Sequence, residues 1–163
     1  MIRPIFYFLS ILAVCLSFFH TGANAQCSNN NTFLANLSPA YSGDTVVNNC
    51  IKGGEYITTN VISGNTYVFS ACGQSGFNTQ MTLRNSTGTV WYAFNDNFCS
   101  SQSQITWTAT FTGTVRVLID ENPSCGHNST CQQIMVTQNC QADAGTVSVF
   151  KNGAPATTPV FLC

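Results

Sequence analysis

Nine cysteines stand in this chain, and none of them forms a CxxC pair; even the closest two, Cys125 and Cys131, are separated by five residues. Zinc ligation and thiol–disulfide catalysis both favour much tighter spacing, so the sulfurs point to structural bridges. The start of the chain agrees with an oxidising destination. Arg3 supplies a short positive start, residues 5–19 are almost continuously apolar, and Ala23-Asn24-Ala25 has the small-x-small form of a cleavage site. Residues 1–25 are therefore predicted to be a signal peptide, with Gln26 as the first residue after it. The apolar run is shorter than the roughly 20 residues a spanning helix needs, which argues against a membrane anchor. Val14 before Cys15 also departs from the small residue that a lipid-attachment signal wants. Loss of the first 25 residues leaves eight cysteines, Cys27, Cys50, Cys72, Cys99, Cys125, Cys131, Cys140 and Cys163. An even number in an exported chain reads as a disulfide framework, and the predicted location is secreted or cell surface.

Past residue 25 the charges are Lys52, Arg84, Arg116 and Lys151 against Asp44, Glu55, Asp96, Asp120, Glu121 and Asp143, a net charge of −2. Four cations scattered along the chain cannot neutralise a run of phosphates, so no nucleic acid and no anionic membrane surface is expected as a partner. The polar surface has to come from Ser, Thr, Asn, Gln and Gly, which suits an extracellular glycan or protein as partner.

Secondary structure follows from periodicity. Residues 55–60, 66–72, 79–84, 89–94, 104–108, 114–119 and 133–137 are rich in β-branched and aromatic side chains, and several alternate with period two. Met81 and Leu83 share one face of their run, as do Val115, Val117 and Ile119 of theirs. Gly64, Gly88, Gly113 and Gly145 each open a similar run, at unequal intervals of 24, 25 and 32 residues, which fits shared turn chemistry and not a sequence repeat. No stretch past residue 25 sustains helical spacing. The predicted fold class is all-β, an antiparallel β-sandwich of jelly-roll type with disulfides. The sandwich is assigned to residues 26–139. Residues 140–163 are predicted to be the start of a second β domain, or else a tail that adds edge strands to the first, so further domains of the same polypeptide are expected.

Five consecutive segments carry a resemblance: YVFSAC at 67–72, FNTQMTL at 77–83, GTVWYAF at 88–94 followed by Asn95-Asp96-Asn97, SQITW at 103–107 and GTVRVLI at 113–119. Over residues 40–137 this succession resembles the pre-peptidase C-terminal domains of secreted bacterial proteins, which are related in shape to CUB-like jelly rolls. The tail from Cys140 is similar to the opening of an immunoglobulin- or PKD-like repeat of large exported proteins. The resemblance implies a non-catalytic accessory module that aids attachment, secretion or display; the alternative it leaves open is an accessory domain of a secreted peptidase or other exported enzyme whose catalytic domain lies beyond residue 163. The family usually has Asp where this chain has Asn78, and often two acids where Asn95-Asp96-Asn97 stands, so a calcium site of the kind some relatives use is weakened here.

Candidate binding residues are Trp91, Asn95, Asp96, Asn97, Asp120 and Glu121. Trp91 offers a platform on which a sugar ring could stack, while Trp107 reads as sandwich filling. The polar corner at residues 95–97 reads as a turn closing a strand, because Asn and Asp side chains bond to nearby backbone. The alternative is a calcium ion held by Asp96 and Asp120, whose corners emerge at one pole of a simple meander; two strand spacings, about 10 Å, separate them. No cofactor is expected. Catalytic chemistry is not expected either: His127 is the sole histidine past the signal, no GxSxG occurs, and paired cysteines leave no thiolate. For the disulfides, alternating strand direction places Cys72 and Cys99 at one pole, and they are expected to pair. Cys125 with Cys131 and Cys27 with Cys50 are the local pairings expected for four more, leaving Cys140 and Cys163.

Overall fold

The computed structural model describes Cys27, residues 31–73 and residues 76–140, together with the backbone of two short strands further on. The predicted signal segment, Cys163 and the rest of the tail lie outside the described residues. Among the described residues eleven strands occur in order, β1 (Thr32–Asn36), β2 (Thr45–Gly53), β3 (Glu55–Val61), β4 (Thr66–Ser70), β5 (Thr79–Asn85), β6 (Trp91–Asn95), β7 (Gln104–Thr108), β8 (Gly113–Glu121), β9 (Asn128–Asn139), β10 (Phe150–Lys151) and β11 (Ala154–Pro155), with no helix. The first nine form two sheets, β1-β3-β8-β5-β6 and β2-β9-β4-β7, and β10 pairs only with β11. Every pairing is antiparallel except β1 with β3. The chain is thus an all-β sandwich.

The period-two pattern dictates the core. Ile57 and Val61 of β3, Met81 and Leu83 of β5 and Val115, Val117 and Ile119 of β8 face Ile51 of β2, Tyr67 and Phe69 of β4, Ile105 of β7 and Ile134 and Val136 of β9. Each fully buried side chain of this kind contributes roughly 1.5–3 kcal/mol relative to exposure. Tyr67 is buried to the last atom, and its hydroxyl accepts a hydrogen bond from Ile62 N at 2.9 Å, so burial leaves its polar tip satisfied.

Successive strands do not form a simple meander, because the chain changes sheet repeatedly. One change takes place at Gly53-Gly54, where β2 ends in one sheet and β3 begins in the other. Gly54 has φ +90° and a Cβ there would overlap the imidazole of His127, so both the backbone and the packing require glycine. Its N–H donates to Ile119 O at 2.8 Å, tying the crossing to β8.

The disulfides correct two of the expected pairings. Cys72 does bridge Cys99, with Cα atoms 6.0 Å apart. Cys27, however, bridges Cys125 across 98 positions, and Cys50 bridges Cys131 across 81. The physical reason lies in β2, which pairs along its length with β9 and so sets Cys50 beside Cys131. Cys125 is then left to hold the segment that precedes β1. Cys140 is also disulfide-bonded.

Candidate binding surface

Alternation turns Tyr56 and Thr58 of β3, Gln80, Thr82 and Arg84 of β5, and Arg116, Leu118 and Asp120 of β8 away from the core. Such residues would normally be wet, yet Gln80, Thr82, Arg84, Leu118 and Asp120 are all buried. The segment leading into β1 contributes to the cover. Cys27 is buried, its carbonyl accepts from Arg84 Nη2, and its sulfur accepts from Gln80 Nε2. Asn31 Nδ2 donates to Asp120 Oδ1 at 2.9 Å and reaches the carbonyls of Ile119 and Glu55 at 3.3 Å. The Cys27–Cys125 bridge therefore fastens a strap across the outside of the five-stranded sheet.

Asp120 was expected at a solvated corner; it lies instead inside β8, beneath the strap. Burial raises its pKa to about 6, against the opposing influence of the Asn31 hydrogen bond, Arg84 and His127. Burial likewise lowers the pKa of Arg84, with Asp120 pulling it back up and Arg116 pushing it further down. Glu121 accepts from Asn128 Nδ2 at 2.7 Å, joining the end of β8 to the start of β9.

The corner after β6 is built as a turn. Asn95 Oδ1 accepts from Gln104 N at 3.1 Å and so positions the start of β7. With its amide turned so that nitrogen faces the two acceptors, Asn97 donates to the carbonyls of Asp96 and Ser100 at 3.1 and 3.2 Å. Asp96 adds one carboxylate at the rim. Since β6 and β8 both run antiparallel to β5, the two corners do emerge at one pole, with β5 between them. Among the described residues no three of His, Cys, Asp and Glu come together to hold a metal ion.

The aromatic residues divide into two groups. Trp107 is half-buried and stacks on Tyr92 at 5.5 Å, with Phe111 closing the seam between β6 and β7. Trp91 points the other way, 47% exposed, with the guanidinium of Arg84 5.3 Å from its ring centre. Sequence reasoning missed Arg84, Arg116 and Asn31 as partners on this surface; the only signal was that both arginines fall inside strands.

Residues 46–143 match the family described as Domain of unknown function (DUF8695). The chain belongs to this family. No curated protein matches it. Among solved structures, this DUF8695 chain is similar to the pre-peptidase C-terminal domain of a collagenase from Bacillus anthracis, at 15% identity and TM-score 0.45, over 68% of this chain and 100% of the other. It is also similar to PliG from Aeromonas hydrophila, a periplasmic inhibitor of g-type lysozyme, at 11% identity and TM-score 0.46, with the same shares covered. Both are likenesses in the path of the chain.

Proposed function

We propose that this protein is a non-catalytic, exported β-sandwich module that attaches to an extracellular glycan or protein surface, within a larger secreted or surface polypeptide. The observation that carries this reading is Trp91. An aromatic side chain that is half exposed at a sheet edge normally adapts to its surroundings. Here its ring lies against a guanidinium that is itself fixed by the carbonyls of Cys27 and, at 3.4 Å, Gly88. A ring held in place before binding loses little freedom on binding, which is the main route to affinity for a small contact area. In the flanking turn Asn85 bonds Thr87 and Thr89, which holds their exposed, uncharged hydroxyls beside the ring. Structural disulfides fit an oxidising compartment.

The test is an array of neutral glycans, acidic glycans and extracellular matrix proteins, probed with the chain produced through an oxidising export route. Binding to some member, weakened at least tenfold by Trp91→Ala with the melting temperature unchanged, is expected. Binding that ignores this substitution would remove Trp91 from the site and overturn the reading.

A further inference from the structure

We infer that the outer face of the five-stranded sheet carries a docking stripe for an acidic polysaccharide, with Arg116 as its anion contact. This rests on the attachment role proposed above and names the ligand class. One side chain from each strand, taken in sheet order, builds the stripe: Phe33 on β1, Tyr56 on β3, Arg116 on β8, Arg84 on β5 and Trp91 on β6. Phe33 is in register with Tyr56, with ring centres 5.5 Å apart. Arg116 crosses diagonally to Tyr56, its guanidinium 4.8 Å from the ring centre. Arg84 is in register with both Arg116 and Trp91. Four strand spacings make the row about 19 Å long.

The two arginines give the stripe its chemistry. They are the only arginines past residue 25, and the fold sets them directly opposite each other. Like charges so placed repel, and a structural role would ordinarily bring an acid between them. Asp120 is instead four register pairs along, bonded to Asn31. Arg84 is 3% exposed and its donors go to carbonyls; Asp120 offsets its charge through space, while Arg116 opposes it. Arg116 is partly exposed, its Nε is buried without a hydrogen-bond partner, and among the described residues its guanidinium makes no hydrogen bond or ion pair. A planar guanidinium with free donors takes a carboxylate or sulfate in paired hydrogen bonds. Rings on both sides, Phe33 at 53% and Trp91 at 47% exposure, present flat apolar faces to sugar rings on either side of that contact. A polymer bearing anionic groups on sugar rings satisfies both features at once. A nucleic acid fits less well, because its affinity comes from neutralising many closely spaced phosphates, whereas this face offers one accessible guanidinium set between rings.

Native affinity electrophoresis in gels containing polygalacturonate, dextran sulfate or neutral dextran tests this. Retardation by an acidic polymer and not by neutral dextran is expected; polygalacturonate alone assigns the contact to a carboxylate, dextran sulfate alone to a sulfate. Arg116→Gln should weaken retention roughly tenfold or more, the loss of a charge-assisted pair of hydrogen bonds. Arg116→Lys should recover part of it, and Phe33→Ala should weaken it with both arginines in place. Melting temperatures close to the parent's identify these as losses of contact. Equal retention by neutral dextran, retention unaffected by Arg116→Gln, or no retention by either acidic polymer overturns the inference. Trp91-dependent binding of a neutral glycan or a protein on the array, without acidic-polymer retention, would sink the inference and leave the attachment role standing.

Discussion

Asp120→Asn should remove a pH dependence of stability that the wild-type chain shows between about pH 4 and pH 6. The carboxyl lies under the strap with a pKa of about 6, against 3.8 for an ordinary aspartate. Between those values the folded state holds a proton that the unfolded state has lost. Stability therefore falls as pH rises through this window, and the contribution is fully lost above pH 6. A gap of about 2 units at 1.36 kcal/mol each corresponds to roughly 3 kcal/mol from pH 3.5 to pH 7, an upper figure because relaxation of the strap would reduce it. The asparagine variant keeps the shape and keeps an acceptor for Asn31 Nδ2, while its side chain never ionises. Urea unfolding of both proteins at half-unit pH steps gives the difference curve. Its slope is diagnostic; its offset is not, because Asp120 Oδ2 already lacks a partner and an amide there changes that environment. Groups facing the carboxyl are Asn31 from the strap, Gln80 and Arg84 from β5, and His127 from the loop before β9. A parallel series in a His127→Gln background removes the imidazole from the comparison. A difference curve that is flat from pH 4 to pH 6 in both backgrounds would refute the buried-proton account.

Three further outcomes follow from the same geometry. Replacing Cys27 and Cys125 together by serine opens, with the Cys50–Cys131 bridge still in place, an effective loop of about 30 residues, which the chain-entropy model values at about 3–4 kcal/mol; the midpoint of denaturant unfolding should fall accordingly, and Thr32 N–H, which donates to Gly54 O at 2.9 Å, should lose exchange protection. Unchanged stability would mean that the strap is held without its bridge. Gly54→Ala should cost roughly 1–3 kcal/mol from its φ of +90° alone and more from overlap with His127, so that Gly54→Ala with His127→Ala recovers only part of the lost melting temperature. Calorimetric titration with calcium should show no binding tighter than about 10⁻⁴ M, and a tighter site abolished by Asp96→Ala would show that the corner after β6 is more than a turn.

Seven of the nine sandwich strands were legible because alternation and β-branched content coincide in them, and their edges shift by only a few residues in the structure. β1 and β2 were not. β2 carries Asn48, Asn49, Lys52 and Gly53, a composition that disfavours strands in isolation; it is extended because β9 pairs along it and Cys50 is bridged to Cys131. The local pairing of Cys125 with Cys131 failed for the same cause. Without β2 in view there was nothing for Cys131 to meet except its near neighbour.

The proposed binding surface was legible in one member only. Alternation tells which face of a strand a residue occupies, but not which strand lies beside it, and neighbours decide the chemistry here. Arg84 and Arg116 are 32 positions apart and read as two of four isolated cations; the order β8 beside β5 turns them into a like-charged pair. Asp120 followed an apolar strand and so had the pattern of a turn residue, yet the strap from Cys27 takes it out of solvent. That strap reaches its anchor only through Cys125, which follows β8, so the covered face needs both ends of the domain in place before it exists. The outer face, including Arg84 with its carbonyl from Cys27, rests on contacts between residues far apart in the chain, and its charge arrangement is a property of the finished fold, beyond the reach of any one strand's composition.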